Sequence, residues 1–172
     1  MSRTCIMPAA KVQRVLDRLA YEVVERNQGA ANVMFFGIRT RGAALAQALA
    51  DRINALEGLR LDVHKLSVEA YRDDRETPPA LPTITPDDSP DVTGRTVMLV
   101  DDVLFTGRTA RAALDALVRF GRPTSIQMVA FIDRGHREYP IQADYVGRSI
   151  PTKYTERVVV EVGDAIEVFV EE

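Results

Sequence analysis

Asp101 and Asp102 are adjacent carboxylates at the end of an apolar run, Val97-Met98-Leu99-Val100. After Val103, Leu104 and Phe105 comes a hydroxyl-rich turn, Thr106-Gly107-Arg108-Thr109, and then a helical run, ARAALDALVRF. The order is buried strand, loop, helix start. Such a loop puts backbone N–H groups, two hydroxyls and a guanidinium at a helix N-terminus. That suits a phosphate, because first-turn N–H groups lack intrahelical partners and the helix dipole favours an anion. Ionised carboxylates only accept hydrogen bonds, so Asp101 and Asp102 suit hydroxyls, a metal-bound water or Mg2+. Alone, the TGRT turn is equally an ordinary helix cap; the whole block is a longer pattern. The dinucleotide fingerprint G-x-G-x-x-G and the P-loop ending in Gly-Lys-Ser/Thr are both absent.

Two more turns have matching chemistry. Arg39-Thr40-Arg41-Gly42 follows an apolar stretch, Asn32 to Ile38, and precedes the helical AALAQALADRINALEG. Two arginines beside a glycine at a helix start suit a second phosphate or a pyrophosphate, though a solvated surface turn has the same composition. Arg134-Gly135-His136-Arg137 follows the apolar Ser125 to Asp133. All three turns lie at the carboxyl ends of expected strands, where open α/β sheets bind ligands. Between them lies Tyr71-Arg72-Asp73-Asp74 and a Pro-rich acidic segment. Residues 73–92 hold six acids and one arginine, a local net charge of -5 against -3 for the whole chain, so the remainder is +2. Five of the nine prolines fall between Pro78 and Pro90. A long loop of this kind predicts a mobile flap over about 72–92 that excludes water from the site. Arg72 and Arg75 are its candidates for contact in the closed state.

The elements that must position these groups follow from periodicity. Val12, Val15, Leu16, Leu19, Val23 and Val24 recur at helical spacing, predicting a helix over Pro8 to Asn27. Leu59 to Tyr71 predicts a strand, and 144–150, 157–162 and 166–170 are shorter strand-like pieces of a tail or edge extension. At 172 residues the chain predicts one domain, 1–172, of alternating strands and helices. No apolar run approaches a membrane span, and the N-terminal residues lack a signal-peptide core, so a cytoplasmic protein is expected. A single cysteine, Cys5, excludes an intrachain disulfide and predicts a buried inert thiol. His64 and His136, without cysteine partners, make no zinc pattern. The net charge does not advertise nucleic-acid binding, and the excess of arginine over Lys11, Lys65 and Lys153 is weak evidence for phosphate contacts.

The block VMLVDDVLFTGRT resembles the PRPP-binding motif of type I phosphoribosyltransferases. With GIRTRG, AYRDD, GRPTSIQ and DRGHREYPIQADYVGRSIPT in the same chain, the resemblance narrows to the PyrR family. These are uracil phosphoribosyltransferases that also regulate pyrimidine operons by binding leader RNA, and the resemblance runs from about Val12 to Val160. It implies an α/β type I phosphoribosyltransferase fold, a central parallel sheet flanked by helices with a small hood and the flexible flap. It implies uracil plus PRPP giving UMP and pyrophosphate, with Mg2+ bound mainly through PRPP and Asp101 and Asp102 nearby. Asp101 and Asp102 would hold the ribose hydroxyls, with Val103, Leu104 and Phe105 completing the motif. Thr106, Gly107, Arg108 and Thr109 would hold the 5-phosphate. Arg39, Thr40, Arg41 and Gly42 would form the pyrophosphate loop, with a cis peptide near Thr40–Arg41. Tyr71, Arg72, Asp73 and Asp74 would belong to the flap. Phe131, Ile132, Asp133, Arg134 and Arg137 would flank the base. The family also implies a homodimer or larger homo-oligomer.

Some residues depart from the family. Purine phosphoribosyltransferases usually carry an acid where this chain has Phe105, which argues against a purine; the PyrR family usually has Tyr there. Asp17 and Tyr21 stand where RNA-binding members typically have Thr and His, and Gln142 replaces an arginine. Arg18, Arg26, Arg137 and Arg148 remain as RNA-contact candidates. An added carboxylate opposes contact with phosphates. Two alternatives therefore stay open: an enzyme that has lost RNA binding, and a phosphoribosyltransferase for another base. Ser67-Val68-Glu69 also replaces the family's usual Asp-Ile-Thr, a change with no functional explanation.

Overall fold

A computed structural model describes residues 2–77, 79–80 and 89–172. In chain order the elements are β1 (Arg3–Met7), α1 (Ala9–Asn27), β2 (Val33–Ile38), α2 (Arg39–Glu57), β3 (Val63–Leu66), β4 (Thr96–Leu104), α3 (Arg108–Leu117), β5 (Ser125–Asp133), β6 (Tyr145–Ser149), β7 (Arg157–Val162) and β8 (Ile166–Glu171). Short 3-10 turns lie at Glu69–Tyr71 and Val118–Phe120. Pro78 and residues 81–88 of the expected flap lie outside the described residues.

Five strands form one sheet in the order β3-β2-β4-β5-β6, every pair parallel. The apolar runs require this. β2 is buried at every position, as a strand covered on both faces must be. Alternate side chains serve opposite layers. Val33 and Phe35 of β2 and Met98 and Val100 of β4 pack with Leu16 and Leu19 of α1 and Leu45 and Leu49 of α2. Met34, Phe36 and Ile38 of β2 and Val97 and Leu99 of β4 pack with Ala112, Ala113 and Leu117 of α3. Among the described residues no helix is long and apolar enough to cross a membrane.

A second, antiparallel sheet of three strands, β1-β8-β7, forms the hood. The sequence gives no signal for β1, because Arg3-Thr4-Cys5 is exposed and only the end of the strand reaches the core. Cys5 therefore does not have the buried place expected of it; it is exposed on β1. The expected strand over Leu59 to Tyr71 shrinks to Val63–Leu66, since only these residues pair with β2 before the chain turns into the 3-10 segment.

Two glycines set how closely α2 approaches the sheet. A Cβ at Gly37 would lie 2.2 Å from Ala43 Cα, and one at Gly42 would lie 2.6 Å from Val100 O. Only hydrogen fits in either place, so the first turn of α2 rests directly on the ends of β2 and β4. Gly42→Ala is expected to destabilise the protein by about 1–3 kcal/mol, as overpacked sites do. Urea denaturation checks this; an unchanged midpoint would mean that α2 does not start against β4.

Candidate functional site

The carboxyl ends of β2, β4 and β5 bring the three turns to one edge of the parallel sheet. β4 runs further than expected. Asp101 and Asp102 sit within the strand and not in a loop, because Asp101, Val103 and Leu104 pair with Ala130, Ile132 and Asp133 of β5. Strand alternation then sends the two carboxylates to opposite sides. Asp101 is only 4% exposed, whereas Asp102 is partly open. The Asp102 amide donates to Asp101 Oδ1 at 2.9 Å, and the Val103 amide donates to Asp102 Oδ1 at 2.9 Å. Burial, and then the neighbouring Asp102 charge, push the Asp101 carboxyl well above the usual carboxylate range.

The turn after β4 is held from outside. The amide of Arg134 donates to Leu104 O at 3.1 Å, and those of Glu138 and Tyr139 donate to Thr106 O at 2.8 and 3.0 Å. Arg137 Nη1 donates to Phe105 O at 2.8 Å, and its Nη2 donates to Asp133 Oδ2 at 2.6 Å. Gly107, at φ +90°, caps α3 with no side-chain hydrogen bond, and the first turn of α3 contains no acid. Thr106 Oγ1 accepts from the Arg108 amide at 3.3 Å, which leaves its own proton free to donate outward. This is a helix start of the kind that takes an anion.

Arg108 is braced on three sides. Its Nε donates to Glu138 Oε2 at 2.7 Å, and its Nη1 lies 3.1 Å from Asp73 and 3.4 Å from the Tyr139 hydroxyl. Tyr139 also donates to Asp73. That bond, with Arg108 adding to it, holds the Asp73 carboxyl below its usual range. Arg119 donates to the Tyr71 hydroxyl at 2.7 Å. The Tyr71–Asp73 segment thus lies against α3 and the 3-10 turn that follows it. Glu138 and Tyr139 stand in the DRGHREYP stretch, but nothing in their spacing connects them to Arg108.

The Arg39–Gly42 segment is not a loop. It is the first turn of α2, beginning directly after Ile38. The expected cis peptide near Thr40–Arg41 is absent: the described peptides are trans, as helical geometry there requires. Arg39 has φ 56°, a left-handed conformation that costs a non-glycine residue about 1 kcal/mol or more. Arg39 pairs with Glu69 at 2.7 Å, Arg75 also pairs with Glu69, and Lys65 donates to Thr40 Oγ1 at 3.4 Å. Arg41 Nη1 lies 3.9 Å from Asp102 Oδ2, so the second turn meets the first across the strand ends. A cavity of about 700 Å3 opens there, lined by Arg39, Thr40, Arg41 and Asp102 on one side and Glu161 and Glu167 of the hood on the other. These hood glutamates belong to no motif, and only the three-dimensional structure brings them to the cavity.

The turn after β5 lines a second cavity of about 420 Å3 with Ser149, Ile150, Pro151 and Thr152. Phe131 and Ile132 are buried in β5, while Asp133 reaches the cavity. Arg134 is only 6% exposed. Its Nε donates to Thr152 Oγ1 at 3.0 Å, its Nη2 donates to Lys153 O at 2.9 Å, and its guanidinium stacks 4.1 Å above the Phe105 ring. Arg134 therefore fixes the 152–154 loop over Phe105 and does not line the pocket as an open cation. His136 Nε2 lies 2.8 Å from Thr152 O, and its ring meets those of Phe105 and Tyr154 edge-on.

The RNA-contact candidates gather near α1 and β6. Arg18 donates to Glu22 at 2.7 Å and to the carbonyls of Val146 and Gly147. Arg26 pairs with Asp144 at 3.0 Å, and Arg148 donates to Ile6 O at 2.9 Å. Asp17 pairs with Arg52 at 2.8 Å, and Tyr21 is 61% exposed. Arg137, held in the turn after β5, lies apart from this face.

Residues 6–165 match the family model of the phosphoribosyl transferase domain, and the chain belongs to that family. The fold is also similar to a hypoxanthine phosphoribosyltransferase from Staphylococcus aureus, with a TM-score of 0.67, 18% identity and coverage of 88% of this chain and 80% of that one. It is likewise similar to the hypoxanthine phosphoribosyltransferase from Trypanosoma cruzi in complex with its product IMP, with a TM-score of 0.66, 16% identity and coverage of 90% and 78%. Among curated proteins the chain is 51% identical to Bifunctional protein PyrR of Limosilactobacillus reuteri, over 91% of this chain and 90% of that protein. It is 50% identical to Bifunctional protein PyrR of Chloroflexus aurantiacus, over 91% and 87%. Within the phosphoribosyltransferases, then, this chain is a member of the PyrR family.

The raised Asp101 carboxyl has a consequence for stability. Between the ordinary carboxylate range and its raised folded value the native state binds more protons than the unfolded state, so stability falls as pH rises through that interval. Asp101→Asn keeps the carbonyl acceptor for the Asp102 amide and removes the buried charge. The variant should melt above the parent at neutral pH, and the difference should vanish below the ordinary carboxylate range. Melting curves across pH check this, and an asparagine variant less stable at every pH would contradict it.

Proposed function

We propose that the protein transfers the phosphoribosyl group of PRPP to uracil, giving UMP and pyrophosphate, and that it also regulates a pyrimidine operon through UMP-dependent binding of leader RNA. The carrying observation is the meeting at one sheet edge of the Asp101–Asp102 strand end, the α3 start after Gly107 and the Arg39–Gly42 turn. In PRPP the 5-phosphate and the pyrophosphate are joined through a ribose with two free hydroxyls. The same order of anion, hydroxyls and anion suits Thr106–Thr109, Asp101–Asp102 and Arg39–Gly42.

In the reaction the bond from ribose C1 to pyrophosphate oxygen breaks, a bond from C1 to uracil N1 forms, and the N1 proton leaves. The difficulty is charge at a departing pyrophosphate, so positioning and electrostatic stabilisation dominate. Arg39 and Arg41 face the leaving group, and Asp102 accepts from a ribose hydroxyl. Uracil is placed beside Phe105 and the 133–136 turn, with the 152–154 loop that Arg134 holds above it.

Among the described residues no cluster of three or more metal-binding side chains exists. The partly open Asp102 carboxylate nevertheless suits a hard cation whose other ligands are substrate oxygens. Bound Mg2+ would neutralise the pyrophosphate charge and so improve it as a leaving group. Asp102→Asn should lose most of the turnover, by about a hundredfold or more, while the protein stays folded. Steady-state rates with uracil, orotate and hypoxanthine test the base. Turnover with uracil alone is expected; turnover with hypoxanthine or orotate and none with uracil would overturn the assignment.

The regulatory half is supported by the bifunctional relatives and by the cationic groups near α1. Leader RNA should bind, and bind more tightly with UMP, with a steep salt dependence. Filter binding against an unrelated RNA checks it; equal retention of both RNAs would leave only the enzyme.

A further inference from the structure

Thr109 lies in the first turn of α3, and its hydroxyl has an unusual set of neighbours. A helical threonine commonly donates its Oγ–H to the carbonyl three or four residues back. For Thr109 these are Thr106 O and Phe105 O. Thr106 O already accepts from the amides of Glu138 and Tyr139 at 2.8 and 3.0 Å, which uses both of its lone pairs. Phe105 O accepts from Arg137 Nη1 at 2.8 Å. Meanwhile Arg72 Nη1 donates to Thr109 Oγ1 at 3.2 Å. The hydroxyl oxygen thus accepts a hydrogen bond from Arg72, while Thr106 O is full and Phe105 O is already engaged by Arg137.

Arg72 itself is fixed. Its Nε donates to Asp74 Oδ1 at 2.7 Å and its Nη2 pairs with Asp74 Oδ2, a two-pronged contact that leaves Nη1 aimed at Thr109. Only 18% of the Arg72 side chain is exposed. The Arg72 guanidinium holds the Asp74 carboxyl down at about 2, so the pair stays ionised at any working pH.

We propose that Arg72 is a positioning residue for the phosphate end of the substrate: clamped by Asp74, it donates into Thr109 Oγ1 and turns the Thr109 hydroxyl proton toward an anion seated on the first turn of α3. The inference rests on the PRPP reading given above. It assigns the root of the flap a task separate from covering the site. Arg72 acts through Thr109 and not as a phosphate ligand.

The test is a double-mutant cycle. PRPP binding to the parent protein is measured first by calorimetry, and KM for PRPP and kcat are then measured for Arg72→Ala, Thr109→Val, the double variant, Arg72→Lys and Asp74→Asn. Arg72→Ala should raise KM for PRPP about tenfold, with kcat changed much less. In the Thr109→Val background, which has no hydroxyl to turn, the same change should have little further effect. Arg72→Lys should recover part of the loss, and Asp74→Asn should move KM the same way by less; both keep the test open if Arg72→Ala folds poorly. An undiminished effect of Arg72→Ala in the Thr109→Val background would overturn the proposal by showing direct action on the phosphate. An unchanged KM in Arg72→Ala would overturn it also. Failure of the parent to bind PRPP at all would overturn the substrate reading and this inference together.

Discussion

A phosphate cradle built from backbone N–H groups works only when the carbonyl groups of the same loop are already satisfied elsewhere. A free carbonyl beside the anion would repel it, and a loose one would let the turn collapse. For the phosphate site proposed at the start of α3, the segment after β5 meets that need. Arg134, Glu138 and Tyr139 give backbone amides, and Arg137 gives its guanidinium, to the carbonyls of Leu104, Phe105 and Thr106. The turn between β4 and α3 is thereby held from its carbonyl side, while on its amide side the Arg108 N–H is bonded to Thr106 Oγ1. The Arg137 guanidinium thus shapes the neighbouring turn, while that of Arg134 holds the 152–154 loop.

Charge is arranged with the same consistency. Asp101 is buried beside the Asp102 charge, and its carboxyl is pushed up in consequence. Asp102, partly open and facing Arg41, is the member of the pair that stands at the cavity. Arg39 of the first α2 turn leans on Glu69, Arg41 faces Asp102, and Arg108 leans on Glu138 and Asp73. The cations at this edge of the sheet are thus kept ordered by carboxylates.

Much of this was legible in the sequence, for identifiable reasons. The apolar runs of β2, β4 and β5 are buried on both faces, so they stand out, and their ends located the three turns. The helix α1 was readable because its apolar residues keep a strict helical spacing. The α2 start differs from expectation because Arg39-Thr40-Arg41 looks like loop chemistry; Gly37 and Gly42 allow these residues to enter the helix at once. β1 was missed because an exposed strand of the hood needs no apolar pattern. Glu138, Tyr139, Glu161 and Glu167 were illegible because each acquires its place only through tertiary contact with residues distant in the chain. Cys5 was misassigned on the general habit of thiols to be buried, which says nothing about a residue on an edge strand.

The proposed reaction requires that a single edge of the parallel sheet hold phosphate on α3 and ribose on β4. A crystal structure of the protein soaked with UMP tests it directly. The account predicts the nucleotide phosphate within hydrogen-bonding distance of the Thr106–Thr109 turn and a ribose hydroxyl on Asp102, with the base beside Phe105. A phosphate on the Arg39–Gly42 turn, or a nucleotide on the α1 face, would contradict it.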